Sequence, residues 1–358
     1  MQRRNFVSLP LLVGAAPLAG AGADRRVFGY GDGVPLSPAE YSALLSSLTQ
    51  SPKFVADNYS MGGVVEELEQ RMAAMLGKEA AVWMPTGTLA NHMAVRLLAG
   101  NRRRVLVQAE SHLFKDCGDC AQTLSQLHLV PLAAGSATFR LAEVEEAAAD
   151  AMSGRVETPV GAIQIETPVR RRRGESFEFA EMQKISAWAR GKGIGMHLDG
   201  ARLLLECAYT KRSPKEYAAL FDTVYISQYK YFNAASGAIL AGPKALLANL
   251  FHTRRMFGGG LHEAWPSAAV ALHYLDGFEG RLRAAVENSE RVFARLPIER
   301  VVNGTNIFRL QMRGVESDAF VKKMAAAGVF VRPGGSLQVN ETWARQGAEE
   351  LIRAFESS

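Results

Sequence analysis

The chain has 358 residues, 48% of them hydrophobic and 22% charged, with a formal net charge of +5. This is the composition of a globular protein with enough apolar side chains for a large core. A basic run at residues 170–173 contains no interleaved aromatic residue and is interpreted as a solvated loop, so no nucleic-acid partner is predicted. The length suits one large domain and one smaller domain.

The N-terminal segment has the pattern of an export signal. Arg3 and Arg4 stand just before Phe6, residues 7–18 are mainly apolar, and residues 21–23 are small, as at a cleavage site. The apolar stretch is too short to span a bilayer. The segment therefore predicts twin-arginine export to the periplasm, without membrane insertion after the signal is removed. The alternative is an N-terminal arm of a cytoplasmic protein.

Three cysteines, Cys117, Cys120 and Cys207, carry little information by themselves. The first two have C-x-x-C spacing, but no second pair or histidine cluster completes a zinc site, so no metal is predicted. The pair could form a disulfide in an exported protein. The favoured interpretation is that both are buried small residues on a helix.

Local patterns predict the secondary structure in chain order. Residues 38–50 form the first predicted helix, with Ser37 as its N-cap and Pro38 in its first turn. Residues 64–76 form the second, ended by Gly77. Short apolar runs then alternate with helical stretches such as 179–192. The predicted strands are residues 80–84, 105–108, 127–131, 161–166, 194–198, 223–227 and 238–241.

This alternation predicts an α/β fold with a large, mostly parallel sheet sandwiched by helices. In the C-terminal part, the predicted helices and strands no longer alternate regularly, and their order predicts a small α+β domain. Its predicted elements are a helix near 266–295, an extended run at 306–311, a helix at 317–327, a strand at 329–332 and a helix near 342–356. We divide the chain into a signal (1–23), an arm and helix (24–56), a large domain (57–270) and a small domain (271–358).

Ligands of such sheets bind beyond the carboxyl ends of the strands, and polar residues follow several predicted strands. Thr86, Gly87 and Thr88 precede a helical run, where hydroxyls and free N–H groups can bind a phosphate. An ordinary helix cap is the alternative. His112 follows the next strand, and its imidazole could stack on a flat cofactor ring or be a structural histidine.

Asp199 comes directly after an apolar strand, where a carboxylate is costly unless it is paired. A protonated pyridine nitrogen is a suitable partner, and Ala201 would offer a flat methyl face to the ring. The planar guanidinium of Arg202 could donate two hydrogen bonds to a substrate carboxylate. An internal Asp–Arg salt bridge is the alternative.

Lys230 lies between Tyr229 and Tyr231, just beyond another apolar strand. Desolvation there disfavours the ammonium ion and favours the free amine that Schiff-base chemistry requires. A lysine that extends its amine to solvent is the alternative.

In these residues the chain resembles the threonine aldolase / aromatic amino acid β-eliminating lyase family, which belongs to the fold-type I enzymes dependent on pyridoxal 5′-phosphate (PLP). The matching stretches are residues 66–71, 77–81, 85–91, 197–202 and 256–260, within a resemblance over roughly 57–356. The resemblance implies PLP as the cofactor and a transferase-like fold with a large and a small domain. It also implies a homo-oligomer, a dimer or a tetramer, with sites completed across an interface.

The resemblance also implies roles for single residues. Lys230 would carry PLP, Asp199 would face the pyridine nitrogen, and Ala201 would lie against the ring. The phosphate would be bound by Gly87 and Thr88.

Around the substrate, the resemblance implies that Arg202 binds the carboxylate and that Tyr59 lies near the site. Here the chain departs from the family. A family histidine after the strand that ends at Glu166 is absent, and Gln338 aligns with a second carboxylate-binding arginine, for which Arg332 is a possible substitute. An N-terminal family motif is replaced by residues 30–33. The ring-stacking histidine aligns with Ser111 or His112, of which we favour His112.

These features predict a PLP-dependent carbon–carbon lyase that cleaves a threonine-like β-hydroxy-α-amino acid to glycine and an aldehyde. Lys230 and Asp199 would be catalytic, and His112 or a water would accept the hydroxyl proton. The alternatives are β-elimination on another amino acid and a PLP-binding protein with little turnover.

Overall fold

The computed structural model describes residues 24–357, so the predicted export signal at 1–23 lies outside the described residues. The helices are α1 (Pro38–Thr49), α2 (Gly63–Leu76), α3 (Gly87–Ala99), α4 (His112–Lys115), α5 (Cys120–Ser125), α6 (Leu141–Met152), α7 (Phe179–Lys192), α8 (Leu203–Thr210), α9 (Pro214–Ala218), α10 (Lys244–Leu247), α11 (Leu250–Met256), α12 (Trp265–Leu275), α13 (Phe278–Phe293), α14 (Asp318–Ala326) and α15 (Ala348–Glu356). The strands are β1 (Val27–Phe28), β2 (Ala80–Met84), β3 (Arg104–Gln108), β4 (His128–Leu132), β5 (Val160–Glu166), β6 (Gly195–Asp199), β7 (Thr223–Ser227), β8 (Ala238–Gly242), β9 (Ile298–Glu299), β10 (Ile307–Leu310), β11 (Val329–Phe330) and β12 (Ser336–Gln338).

A seven-stranded sheet forms the centre of the molecule, in the order β2-β8-β7-β6-β5-β3-β4. Strand β8 is antiparallel to both of its neighbours, and the other adjacent pairs are parallel. The predicted mostly parallel sheet is therefore confirmed, and each predicted strand of this sheet matches an observed one to within about a residue at either end.

Apolar cores cover both faces of this sheet. Along β7, Val224 and Ile226 pack into one core, whereas Tyr225 between them packs into another. Because successive side chains of a strand point to opposite faces, the two cores lie on opposite sides. Helix α3 contributes Met93 to the second core, and α2 contributes Leu68 to the first.

The C-terminal part contains the predicted helices and strands, with one error. The helix predicted near 266–295 is two helices, α12 and α13, because Gly277 adopts φ 68°, a left-handed conformation, as the N-cap of α13. A second difference is small: the terminal helix begins only at Ala348, after a short 3₁₀ turn at Glu341–Ala344.

The first residues of the N-terminal arm are bound to the C-terminal part. Strand β1 pairs in parallel with β11, and the Phe28 N–H donates to Thr342 Oγ1 at 2.9 Å. The chain then passes from β1 toward the central sheet, where the Val34 N–H donates to Asn233 Oδ1 at 2.7 Å. This path brings Asp32 to the carboxyl ends of the central strands, a placement that the sequence did not predict.

Candidate active site

A cleft of about 230 Å³ lies where β5, β6 and β7 end. The register aligns Glu166 with Asp199 and Asp199 with Tyr225, so the residues after these strands are neighbours. The cleft is lined by Gly87, Thr88, His112, Glu166, Arg170, Asp199, Ala201, Arg202, Tyr225, Tyr229 and Lys230. Most of the predicted site residues are therefore brought together, although they come from distant parts of the chain.

The start of α3 forms one wall of the cleft. Thr86 is the N-cap of this helix, and its Oγ1 accepts the Leu89 N–H at 3.2 Å, so its hydroxyl serves as an ordinary cap. Gly87 and Thr88 follow and line the cleft. A side chain at Gly87 is excluded, because an added Cβ would overlap the buried hydroxyl of Tyr225. The wall thus offers backbone N–H groups at a helix N-terminus and the Thr88 hydroxyl.

Asp199 lies on the floor of the cleft with only 1% of its surface exposed. Its Oδ1 accepts the Ala201 N–H at 3.1 Å, and its Oδ2 accepts from Asn91 Nδ2 at 2.6 Å. Burial makes such a carboxylate costly unless it is paired, and these two neutral donors leave its negative charge available to a cationic partner.

A buried chain of polar groups positions Asp199 from behind. Because Asn91 donates its amide to Asp199, its Oδ1 accepts from His197 Nε2 at 2.8 Å. His197 Nδ1 then accepts from the Thr223 hydroxyl at 2.9 Å. Burial lowers the pKa of His197 to about 4, which keeps the ring neutral for this arrangement. Sequence reasoning missed these roles for Asn91 and His197, although both lie within the stretches that carry the resemblance.

Arg202 is nearly buried in the cleft and is already paired. Its Nε and Nη2 lie 2.9 and 2.8 Å from Asp32 Oδ2, with 11% of its side chain exposed. An internal Asp–Arg salt bridge therefore exists, but the carboxylate is Asp32 and not Asp199. The pair holds the guanidinium at the cleft wall, next to Ala201.

Lys230 projects into the cleft from the turn after β7 and is half-buried. Its Nζ lies 5.9 Å from the ring centre of Tyr225 and 4.9 Å from that of Tyr229. The Tyr229 hydroxyl is 3.4 Å from Nζ. The amine therefore lies among aromatic rings and accessible to a small molecule in the cleft.

His112 and Glu166 also line the cleft. Glu166 Oε2 accepts the His112 N–H at 2.6 Å and Oε1 accepts the Arg170 N–H at 3.1 Å, so one buried carboxyl joins two cleft-lining segments. Burial, together with the Asp199 carboxylate, raises the pKa of Glu166 to about 7. Burial lowers the pKa of His112, whose Nδ1 lies 3.3 Å from Cys117 Sγ.

Two interpretations of the sequence need correction here. Cys117 lies in the turn between α4 and α5 and Cys120 is the first residue of α5, so these free, half-buried thiols are not buried residues on one helix. The basic run is not only a solvated loop, because Arg170 lines the cleft while Arg171 stays outside it. Both arginines bind Asp116, at 3.0 and 2.6 Å.

Tyr59 and Gln338 lie outside the residues that line the cleft in the described chain. Tyr59 is 37% exposed, with Arg255 over its ring at 5.0 Å. Gln338 accepts the Gly31 N–H through its Oε1, and Arg332 lies over the Tyr30 ring at 4.8 Å. The predicted substrate roles of Tyr59 and Gln338 thus stay predictions. Within residues 24–357, no group of three or more His, Cys, Asp or Glu is arranged to hold a metal ion.

A helix-covered, mostly parallel sheet with a lysine, a buried carboxylate and a helix N-terminus at its carboxyl edge defines a fold-type I enzyme. The sequence pattern of the β-eliminating lyase family matches residues 55–308. The chain belongs to this family.

Individual relatives agree with this assignment. The low-specificity L-threonine aldolase of Candida albicans is 29% identical over 212 residues, which are 58% of this chain and 56% of the relative. The chain thus aligns with little more than half of that relative's length.

Among solved structures, a candidate L-allo-threonine aldolase from Listeria monocytogenes EGD-E has a TM-score of 0.76 at 28% identity, covering 93% of this chain and 95% of that one. Serine palmitoyltransferase from S. paucimobilis, solved with a bound PLP–myriocin aldimine, has a TM-score of 0.63 at 15% identity, covering 93% and 86%. The latter likeness shows the fold alone. The predicted family and fold class are therefore confirmed.

Proposed function

We propose that the cleft binds PLP and that Lys230 is its covalent attachment point. One observation carries this proposal. The half-buried amine of Lys230 lies in the same cleft as the buried carboxylate of Asp199, which accepts hydrogen bonds from neutral donors and can pair with a cation. The remaining donors also suit the cofactor. Gly87 and Thr88 offer N–H and O–H groups to a phosphate, and the close approach of Gly87 to Tyr225 leaves this wall free of a side chain. Membership of the family supports the same cofactor.

Bound PLP supplies an electron sink that stabilises negative charge at the α carbon of an amino acid. The chain's own residues hold and orient the reactants. Asp199, fixed by Asn91 and Ala201, would hold the ring nitrogen of the cofactor in its protonated form. Arg202, fixed by Asp32, orients the substrate carboxylate. The Thr88 hydroxyl holds the phosphate.

Proton transfer from a substrate hydroxyl falls to His112. Burial lowers the pKa of this imidazole, so it is neutral at physiological pH and can accept a proton. Glu166 holds the His112 backbone in place. We therefore propose that the enzyme cleaves β-hydroxy-α-amino acids to glycine and an aldehyde. The name of the Candida relative, a low-specificity L-threonine aldolase, supports this proposal.

Incubation of PLP-loaded protein with threonine, allo-threonine and phenylserine tests this reaction. The expected products are glycine and the matching aldehyde, measured by chromatography. Release of ammonia without glycine would indicate β-elimination instead. If all three amino acids changed the absorption spectrum and none gave a product, the chain would be a PLP-binding protein with little turnover.

Oligomeric assembly and export, both predicted from the sequence, remain proposals. Exposed apolar side chains at Tyr59, Met61, Met256 and Leu261 support assembly with further copies of the chain. Light scattering tests this proposal, since a monomeric mass would contradict it.

The adjacent arginines at positions 3 and 4 support twin-arginine export. The double substitution Arg3→Lys with Arg4→Lys should block this export, and cell fractionation measures where the protein is found. No helix among residues 24–357 is long and apolar enough to cross a membrane.

A further inference from the structure

Arg170 supplies the cleft with a positive charge that no described carboxylate fully neutralises. Asp116 is shared by two arginines: Arg171 binds it through Nε at 3.1 Å and Nη2 at 2.6 Å, whereas Arg170 reaches it only through Nη2, at 3.0 Å. The Nε and Nη1 of Arg170 have no hydrogen-bond partner among residues 24–357. One carboxylate thus faces two guanidinium groups, and Arg170 keeps free donors.

Lys230 would be attached to the cofactor in the proposed function, and the remaining charges of the cleft have partners. Arg202 is paired with Asp32, and Asp199 is reserved for the cofactor nitrogen in the proposed function. Glu166 is buried, accepts the backbone N–H of Arg170 and has a pKa raised to about 7 by burial, so it does not cancel a full positive charge. Arg170 is therefore the excess cation among the residues that line the cleft.

The two cleft arginines differ in depth. Only 11% of the Arg202 side chain is exposed, whereas 49% of the Arg170 side chain is exposed. A substrate amino acid whose nitrogen lies beside Lys230, where the cofactor would be attached, has its α-carboxylate close to the reacting carbon, which suits the deep arginine. Its side chain must then extend toward the mouth of the cleft, where Arg170 lies.

We propose that Arg170 is a specificity-determining residue and that the preferred substrate carries a carboxylate on its side chain, as in a β-hydroxy-α-amino acid of the 3-hydroxyaspartate class. Charge-assisted hydrogen bonds from Arg170 to this second carboxylate favour it over a neutral amide or methyl group. The inference rests on the proposed function, since it assumes that the amino acid reacts with a cofactor anchored at Lys230 and places its α-carboxylate at Arg202.

Aspartate and asparagine form a matched pair of probes, because they have the same shape and differ by one charge. Spectral titration of PLP-loaded protein gives the Kd of each without requiring carbon–carbon cleavage. We expect aspartate to bind about 10- to 100-fold more tightly than asparagine. Arg170→Gln should abolish this preference while leaving the Kd of asparagine unchanged, which also shows that the variant is folded.

Arg172→Gln is the matched control, because Arg172 belongs to the same basic run but pairs with Glu175 and lies outside the cleft, so this variant should retain the preference. For catalysis, 3-hydroxyaspartate should exceed threonine in kcat/KM, and only Arg170→Gln should equalise them. Equal affinities for aspartate and asparagine in the wild type, or equal weakening of both by Arg170→Gln, would overturn the inference and leave the proposed function standing. A spectrum that responds to no amino acid would overturn both.

Discussion

At the level of single residues, Asp199, the carboxylate proposed to bind the cofactor, depends on a neighbour that the sequence did not single out. Asn91 joins Asp199 to His197 through two hydrogen bonds of 2.6 and 2.8 Å, in a region without solvent access. A buried carboxylate or imidazole that loses its partner bears the full cost of desolvation. The position of Asp199 is therefore set by a side chain on another element.

Replacement of Asn91 by alanine should weaken cofactor binding and the fold together. We expect PLP affinity to fall about 10-fold and the free energy of unfolding to fall by roughly 1–3 kcal/mol, because Asp199 and His197 each lose a hydrogen bond. Absorbance titration with PLP and urea unfolding measure the two effects.

Asn288→Ala provides the control for this prediction. Asn288 donates to two backbone carbonyls, of Trp343 and Gln346, away from the cleft. This variant should lose stability and keep its PLP affinity. If both variants weakened PLP binding equally, the positioning role of Asn91 would be wrong.

At the level of secondary-structure elements, the junction of α3 with the central sheet shapes the wall of the cleft that we propose binds the cofactor phosphate. The first residue of α3, Gly87, approaches Tyr225 of β7 so closely that no Cβ fits. The glycine is required by this close approach, since a side chain would push the helix N-terminus away from the strand and misplace its N–H groups.

Gly87→Ala should therefore lower PLP affinity by about 10-fold or more and destabilise the protein by roughly 1–3 kcal/mol, as overpacking does. Gly280→Ala is the matched control, because Gly280 lies within α13 with nothing near its Cβ position. That change should be neutral or stabilise by up to about 1 kcal/mol. Thermal unfolding and PLP titration on both variants check the pair, and normal PLP binding by Gly87→Ala would contradict the proposed wall.

Local patterns in the sequence predicted most elements, because their signals lie within a few residues. Ser37 and Glu40 form the capping box that starts α1, and Gly77 ends α2 in a left-handed conformation. The helix predicted near 266–295 failed at Gly277, since one glycine in an amphipathic run does not by itself signal a break.

Site residues that directly follow apolar strands could be predicted from the sequence. Site residues that are placed by contacts with distant parts of the chain could not. Asp199 and Lys230 are marked by the apolar strands before them. The Asp32–Arg202 pair was not predictable, because it requires the N-terminal arm to cross from β1 to the central sheet. The cleft position of Arg170 also depends on tertiary packing, which a basic run in a sequence does not reveal.

At the scale of the whole molecule, the cleft unites segments from almost the full length of the chain. The arm supplies Asp32, the start of α3 supplies Gly87, and three strand ends supply Glu166, Asp199 and Lys230. Only the complete fold brings these groups together. In the proposed function, the cofactor becomes attached to Lys230 within this assembled cleft.

Borohydride reduction of PLP-loaded protein, followed by mass spectrometry of its peptides, tests that claim most directly. We expect a visible absorption band before reduction and a phosphopyridoxyl group on Lys230 after it. Lys230→Ala should show neither the band nor the label, with its fold intact by circular dichroism. A label on another lysine, or an unchanged band in Lys230→Ala, would contradict the assignment of Lys230 as the cofactor anchor.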